Sequence, residues 1–318
     1  MLRVNIRRKA AERLLVATDV PRAGNWQTAA PPLLEEMLER AMLARLVAVV
    51  AAERFSECSV AFLPFPTTGQ NGADLDPASS ACFLGADVVI GLTTYSLSHT
   101  NARQEATRAG VRLASMPGFE ARMLEPGGPM AADYRQIAAD CRVFADLLDA
   151  AEEVSVRSAH GTDLRFSLRG RGGKGDDGLY GTEPGAWGNL PAGEAYTTPL
   201  EGTGEGTLVV PAGWYPDLAE DLMLRFEKGQ VVEIAGGDLV GDTFRQLLDL
   251  GSNDPLHRAR RNLAELGIGT NPNARKPDNV LEAEKIKGTI HIAIGDNIHM
   301  GGTVESDLHE DFVLPSPD

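Results

Sequence analysis

Residues 288–314, GTIHIAIGDNIHMGGTVESDLHEDFVL, contain three of the chain's six histidines and suggest two β-strands joined by a polar loop. In the first strand, a period of two places Ile290, Ile292 and Ile294 on one face and His291 on the other, beside small residues. An imidazole with open space in front of it is a candidate metal ligand. A histidine packed in a core would leave the same pattern.

The second strand, DLHEDFVL (307–314), carries an H-x-D pair. His309 and Asp311 are two residues apart, so their side chains point to the same face of the strand, opposite Phe312 and Leu314. An imidazole beside a carboxylate suits a divalent metal. The pair also arises by chance, so it needs further ligands to be specific.

A third candidate ligand, Glu265, lies upstream. The sequence predicts a helix from Asp254, as N-cap, to Gly267, as the residue that stops it. Glu265 would then lie in the last turn, where the helix dipole disfavours a carboxylate by up to about 1 kcal/mol unless a cation is near. Either a bound metal or Arg261 can supply that cation.

The N-terminal half alternates strand-like and helix-like segments. The predicted strands are 13–18, 58–64, 87–93 and 111–117, and the predicted helices are 31–54, 99–110 and 130–151. Repeated β-α-β units imply a doubly wound, mostly parallel sheet with helices on both faces. We therefore predict an α/β domain over residues 1–151.

The C-terminal half has a different texture. Hairpins are predicted over 153–171 and 222–237, the second turning at Gly229. Antiparallel pairing of this kind predicts an α+β metal-binding domain over residues 152–318. A G-x-G-x-x-G match inside 170–181 is not followed by a helical pattern, so no nucleotide site is expected there.

Charge and composition exclude several function classes. The 318 residues carry a net charge of −15, which argues against a nucleic-acid partner, because such proteins need a basic surface. No apolar run approaches the roughly 20 residues of a membrane span. The three separated cysteines, Cys58, Cys82 and Cys141, suit a reducing compartment. We expect a cytoplasmic enzyme without a membrane partner.

Four sequence blocks resemble the signature blocks of the thermophilic aminopeptidases, the metallopeptidases of the aminopeptidase T and aminopeptidase S type. The blocks are NLPAGEAYTTP (189–199), AELGIGTNP (264–272), EKIKGTIHIAIGDN (284–297) and GGTVESDLHED (301–311). The resemblance implies two divalent ions, zinc, cobalt or manganese, and a homodimer. It implies five metal ligands, which fall on Glu194, Glu265, His291, His309 and Asp311.

One feature of that family is missing. Its catalytic tyrosine should follow the first histidine, but residues 295–302 read GDNIHMGG. His299 or Tyr196 would have to take its place. The same superfamily includes an iron-dependent dioxygenase that opens dihydroxypyridine rings. That relative keeps the H-x-D pair and has a histidine where this chain has Glu265.

These observations predict a two-metal hydrolase of amide bonds, an aminopeptidase acting on short peptides or another small molecule. Glu194 or Glu265 would be the general base, and His299 is a third candidate catalytic residue. The alternative is a mononuclear Fe(II) ring-cleaving dioxygenase that uses His309, Asp311 and either Glu265 or His291. A non-catalytic binding protein on the same fold is the third hypothesis.

Overall fold

The computed structural model describes residues 1–181 and 183–315. The chain forms two compact units, each built from two segments. The first unit consists of Met1–Tyr134 and Gly178–Ala192, and the second of Arg135–Asp177 and Gly193–Asp318. The domain boundary predicted from the sequence follows residue 151, whereas in the structure the helix before that point belongs to the second unit, apart from its first residue.

Helices and strands alternate in the first unit and strands dominate the second. The helices are α1 Asn25–Thr28, α2 Pro31–Arg54, α3 Pro77–Leu84, α4 Asn101–Arg108, α5 Tyr134–Ala150, α6 Asp238–Leu248, α7 Pro255–Arg260 and α8 Val280–Ala283. The strands are β1 Arg13–Val20, β2 Ser59–Pro66, β3 Val88–Thr93, β4 Arg112–Pro117, β5 Glu153–Arg157, β6 Asp163–Ser167, β7 Lys174–Asp176, β8 Trp187–Asn189, β9 Glu194–Thr197, β10 Glu205–Val210, β11 Leu222–Glu227, β12 Gln230–Gly236, β13 Leu263–Gly269, β14 Ile290–Gly295 and β15 His309–Leu314.

The first unit contains a parallel sheet in the order β2-β1-β3-β4-β8. Its central strands are largely apolar and most of their side chains are buried, as expected when helices cover both faces of a sheet. Thr100 caps α4 by accepting a hydrogen bond from the Arg103 backbone N–H. The predicted α/β architecture with a mostly parallel sheet is confirmed.

The second unit contains two antiparallel sheets, which we call the second and third sheets. The second sheet has the order β12-β11-β10-β6-β5, and the third has the order β15-β14-β13-β9-β7. Side chains from both sheets form one hydrophobic core, to which Leu208 and Leu224 contribute from the second sheet and Ile292 and Phe312 from the third. The predicted antiparallel C-terminal half is therefore also confirmed. The hairpin of β11 and β12 turns at Gly229, whose φ of 70° is left-handed.

The helix predicted from Asp254 to Gly267 is wrong at its C-terminal end. It begins as predicted, with the Asp254 side chain accepting from the Leu256 N–H, but α7 ends at Arg260. The chain then enters β13, so Glu265 lies on a strand and no helix dipole acts on it. Arg261 donates to the backbone carbonyls of Leu248 and Ser252, and thus ties the end of α7 to the segment before it.

The glycine-rich segment 170–181 forms the short strand β7 and starts no helix, as the sequence predicts. In the part of the chain that the structure describes, no helix has the length and apolar character needed to cross a membrane.

Candidate metal centre

The predicted metal ligands share one face of the third sheet, on four adjacent strands. Antiparallel neighbours in register point their side chains to the same face. Ala293 on β14 lies opposite both Glu265 on β13 and Asp311 on β15. The opposite face is apolar and carries Ile292 and Phe312 into the core. The ligand face carries Glu194, Glu265, His291, His309 and Asp311.

Glu265 lies at the centre of this cluster because each of its carboxylate oxygens faces a different histidine. Its Oε1 is 3.5 Å from Nε2 of His291, and its Oε2 is 3.2 Å from Nε2 of His309. Nε2 of His291 is also 3.4 Å from Oε2 of Glu194. Nε2 of His309 is 3.7 Å from Oδ2 of Asp311. The five side chains therefore form a continuous chain of contacts.

Two groups of three ligands share Glu265. One consists of Glu194, Glu265 and His291, and the other of Glu265, His309 and Asp311. Within each group, one ligand atom from every residue lies within 4.8 Å of the others. The H-x-D pair predicted from the sequence forms part of the second group.

Small residues on the ligand face leave space for these side chains. Gly267 on β13 lies directly opposite His291 on β14. A β-carbon at Gly267 would be 1.9 Å from Nε2 of His291, a distance that no side chain could tolerate. The imidazole therefore lies over the glycine, and its Nε2 reaches both Glu194 and Glu265.

A buried ammonium group completes the cluster. Lys285 is 0% exposed, and its Nζ lies 2.7 Å from Oε1 of Glu194 and 2.7 Å from Oε2 of Glu284. Backbone hydrogen bonds to Asn271 hold this segment in place. Lys285 and Glu284 could not be recognised as site residues from the sequence, because no local pattern distinguishes Lys285 from the exposed Lys287 two residues later.

Burial and close contacts shift the pKa values of the ligands. Although burial opposes the effect, hydrogen bonds from His291 and His309 hold the pKa of Glu265 well below its usual range. Again against burial, the neighbouring carboxylates raise the pKa of His291 to about 9. Burial raises the pKa of Glu194 and of Asp311. A histidine must lose its proton to bind a metal, so we expect the affinity of this cluster for a divalent cation to fall as the pH falls.

The donor set fits a divalent metal ion. Among the described residues, Oε2 of Glu194 and Oδ1 of Asp311 are buried atoms with no hydrogen-bond partner. Leaving such an atom unsatisfied costs about 1–3 kcal/mol or more when it is charged, so these oxygens favour a cation. Imidazole and carboxylate donors are those used by iron, manganese and zinc sites.

The other predicted site residues lie in different places. His299 is exposed on the short 3-10 helix Ile298–Met300, and neither ligand group that contains Glu265 includes it. Its catalytic role stays a prediction. Tyr196 lies on β9, two residues after Glu194 and on the same face of the strand. Arg261, a candidate cation partner for Glu265, instead binds backbone carbonyls.

Comparison with known proteins places this chain in a family. A family model described as NicX: 2,5-dihydroxypyridine 5,6-dioxygenase matches residues 39–316. A curated relative, the 2,5-dihydroxypyridine 5,6-dioxygenase of Pseudomonas putida, is 26% identical over 258 residues, which are 76% of this chain and 69% of that protein.

Two solved structures share the fold. The 2,5-dihydroxypyridine dioxygenase of Pseudomonas putida KT2440 has a TM-score of 0.68 at 20% identity, with 95% of this chain and 86% of that chain covered. Wild-type AmpT of Thermus thermophilus has a TM-score of 0.56 at 19% identity, with 98% and 89% covered. At these identities the likeness shows the fold alone.

The family match overturns the predicted activity. The hydrolase, aminopeptidase and metalloprotease assignments are wrong, because the family model and the curated relative both point to a dioxygenase. The error has a physical origin. Carboxylates and imidazoles on one face of a sheet predict that a metal binds, and both chemistries use such ligands. The ligand set alone therefore could not choose between hydrolysis and ring cleavage.

Proposed function

Since this chain belongs to the NicX family of 2,5-dihydroxypyridine 5,6-dioxygenases, we propose that it is a metal-dependent dioxygenase that opens the ring of a dihydroxypyridine-like substrate. The observation that carries the proposal is the extent of the family match. Residues 39–316 include all five residues of the ligand cluster, so the similarity covers the site as well as the fold.

We propose that Glu265, His309 and Asp311 hold the metal ion, and that the ion is ferrous iron. Their ligand atoms lie within 4.8 Å of one another. The set has two carboxylates and one imidazole, so a carboxylate replaces one histidine of the usual arrangement in non-haem iron oxygenases. When bound, the iron supplies the redox chemistry that ring cleavage by dioxygen requires.

We propose that the ligand cluster binds a single ferrous ion. The ammonium of Lys285, 2.7 Å from Oε1 of Glu194, already supplies a positive charge to the other ligand group. A divalent ion beside it would meet electrostatic repulsion in a buried environment, where charges are poorly screened. We therefore expect one equivalent of iron by elemental analysis. Two equivalents would contradict the one-ion proposal.

Glu194 and His291 would then be available for proton transfer. Oε2 of Glu194 is buried and accepts no hydrogen bond from any described residue. Burial raises the pKa of this carboxyl, which makes its carboxylate a stronger base. We propose that Oε2 of Glu194 accepts the proton of a substrate ring hydroxyl, so that the substrate reacts as an anion.

The test is oxygen uptake by purified protein loaded anaerobically with ferrous iron. Addition of 2,5-dihydroxypyridine should consume one molecule of oxygen for each ring opened, followed by an oxygen electrode and by loss of the pyridine absorbance. Metal-free protein and the His309→Ala variant are the controls, and both should be inactive. An iron-loaded wild-type protein that consumes no oxygen with this substrate or its hydroxylated analogues would refute the proposal.

The homodimer implied by the resemblance also stays a prediction. Light scattering on the purified protein should give twice the mass of the chain. A monomeric mass would contradict the predicted homodimer without affecting the proposed chemistry, because all five residues of the cluster come from a single chain.

A further inference from the structure

A tyrosine lies in the same row of the third sheet as one of the histidines. Tyr196 on β9 lies opposite Gly267 on β13, and Gly267 lies opposite His291 on β14. The three residues form a straight line across neighbouring strands, with side chains on one face. Adjacent strands are about 4.8 Å apart, and the middle residue has no side chain. The imidazole of His291 therefore lies over Gly267, on the face of the sheet that also carries the phenol of Tyr196.

The charged side chains of the ligand cluster also act on this phenol. Burial raises the pKa of Tyr196, and the charge that adds most to this effect is the carboxylate of Glu265. Glu194, two residues earlier on β9, acts in the same direction. A tyrosine hydroxyl ordinarily carries its proton at neutral pH and can act as a hydrogen-bond donor.

This donor has no partner within the described protein. No described residue forms a hydrogen bond with the hydroxyl of Tyr196. The hydroxyl oxygen is also not one of the fully buried atoms that lack a hydrogen-bond partner. Lys174, which lies opposite Tyr196 on β7, is already engaged, because its Nζ donates to the carbonyl of Met300 at 2.9 Å. Of these two polar groups beside the cluster, the phenol is the one available to a ligand.

We propose that Tyr196 is a substrate-contacting residue, whose hydroxyl donates a hydrogen bond to an oxygen substituent of the aromatic substrate bound beside Glu265, His309 and Asp311. The inference rests on the proposed function and extends it by assigning a residue to the substrate oxygen. A ring hydroxyl that has lost its proton is an anionic acceptor, and hydrogen bonds to charged acceptors are the strong ones. Tyr196 would therefore favour the deprotonated substrate.

The test is a substitution that removes only the hydroxyl oxygen of Tyr196. Tyr196→Phe keeps the ring, so the fold and the metal ligands should be unaffected. Iron-loaded protein is titrated anaerobically with 2,5-dihydroxypyridine, and binding is followed by the change in pyridine absorbance. Loss of a hydrogen bond to a charged group should raise the Kd by about 10- to 100-fold. Iron content, measured in the same samples, should equal that of the wild type.

Tyr215→Phe is the matched control. Tyr215 is also a largely buried phenol beside a carboxylate, and its hydroxyl donates to Oε1 of Glu310 at 2.7 Å. It packs against Phe244 and Phe312, on the apolar face of the third sheet. Loss of the Tyr215 hydroxyl should lower the free energy of unfolding and leave the Kd for the pyridine unchanged.

The outcomes separate this inference from the proposed function. If the wild type binds and oxidises the pyridine while Tyr196→Phe binds it with an unchanged Kd, the assignment of Tyr196 is overturned. The same holds if Tyr196→Phe loses iron, since the residue would then act through the metal site. If iron-loaded wild type neither binds the pyridine nor consumes oxygen, the proposed function fails, and the inference fails with it.

Discussion

Nε2 of His291 lies over Gly267, where a β-carbon would be only 1.9 Å away. The absence of a side chain at that one position lets the imidazole reach Glu194 at 3.4 Å and Glu265 at 3.5 Å. A residue without a side chain therefore determines where the imidazole of His291 points.

Gly267→Ala tests this relationship. The added methyl group should force His291 out of its position and break its contacts with both carboxylates. Overpacking of this kind lowers the free energy of unfolding by about 1–3 kcal/mol, which urea denaturation would measure. Gly251→Ala is the control, because the nearest atom to its added β-carbon is 3.9 Å away. Equal stability of the two variants would contradict the proposed packing.

His309→Ala and Asp311→Ala should each abolish tight metal binding, because each removes a ligand from the group that Glu265 completes. Elemental analysis after dialysis measures the bound metal. Glu310→Gln is the matched control, since Glu310 lies between these residues but hydrogen-bonds Tyr215 on the other face of the strand. Full metal content in His309→Ala and Asp311→Ala would refute the ligand assignment.

The two H-x-D residues could be predicted from the sequence because the period of a strand is a local property. His309 and Asp311 share a face whatever the strand pairs with. The end of the helix before Glu265 could not be predicted in this way. Gly267 suggested a helix stop, but its role depends on His291, which is distant in the sequence and adjacent only after the strands pair.

Neither the burial of Lys285 nor the reaction could be predicted from the sequence, and the reasons differ. Lys285 and Lys287 are the same residue type in one short segment, and only tertiary packing buries the first and exposes the second. The reaction depends on which substrate reaches the metal, whereas the sequence motifs report the ligands. The missing tyrosine after His291 was the local sign that the aminopeptidase assignment did not fit.

Lys285→Met should be strongly destabilising. The substitution leaves the carboxylates of Glu194 and Glu284 buried without their shared counter-charge, a change that typically costs about 3–5 kcal/mol. Lys287→Met is the control, because Lys287 pairs with Asp140 at an exposed position and should contribute less than about 1 kcal/mol. Urea denaturation of both variants gives the comparison, and similar losses would contradict the buried-pair account.

The cysteines should differ in reactivity. Burial raises the pKa of Cys141 to about 12, despite a contact of 3.2 Å between its Sγ and Oγ1 of Thr270. Since only the thiolate reacts, and it forms only as the pH approaches that value, iodoacetamide at neutral pH should leave Cys141 unmodified in the native protein. Exposed Cys82 is the internal control. Mass spectrometry showing both cysteines alkylated at equal rates would contradict the burial of Cys141.

The most direct test of the central claim is the fate of dioxygen itself. Iron-loaded protein is supplied with 2,5-dihydroxypyridine under heavy-isotope dioxygen in ordinary water, and the ring-opened product is examined by mass spectrometry. A dioxygenase should place both atoms of one oxygen molecule in each product molecule, and His309→Ala should form none of this product. A ring-opened or hydrolysed product whose new oxygen atoms come only from water would contradict the account.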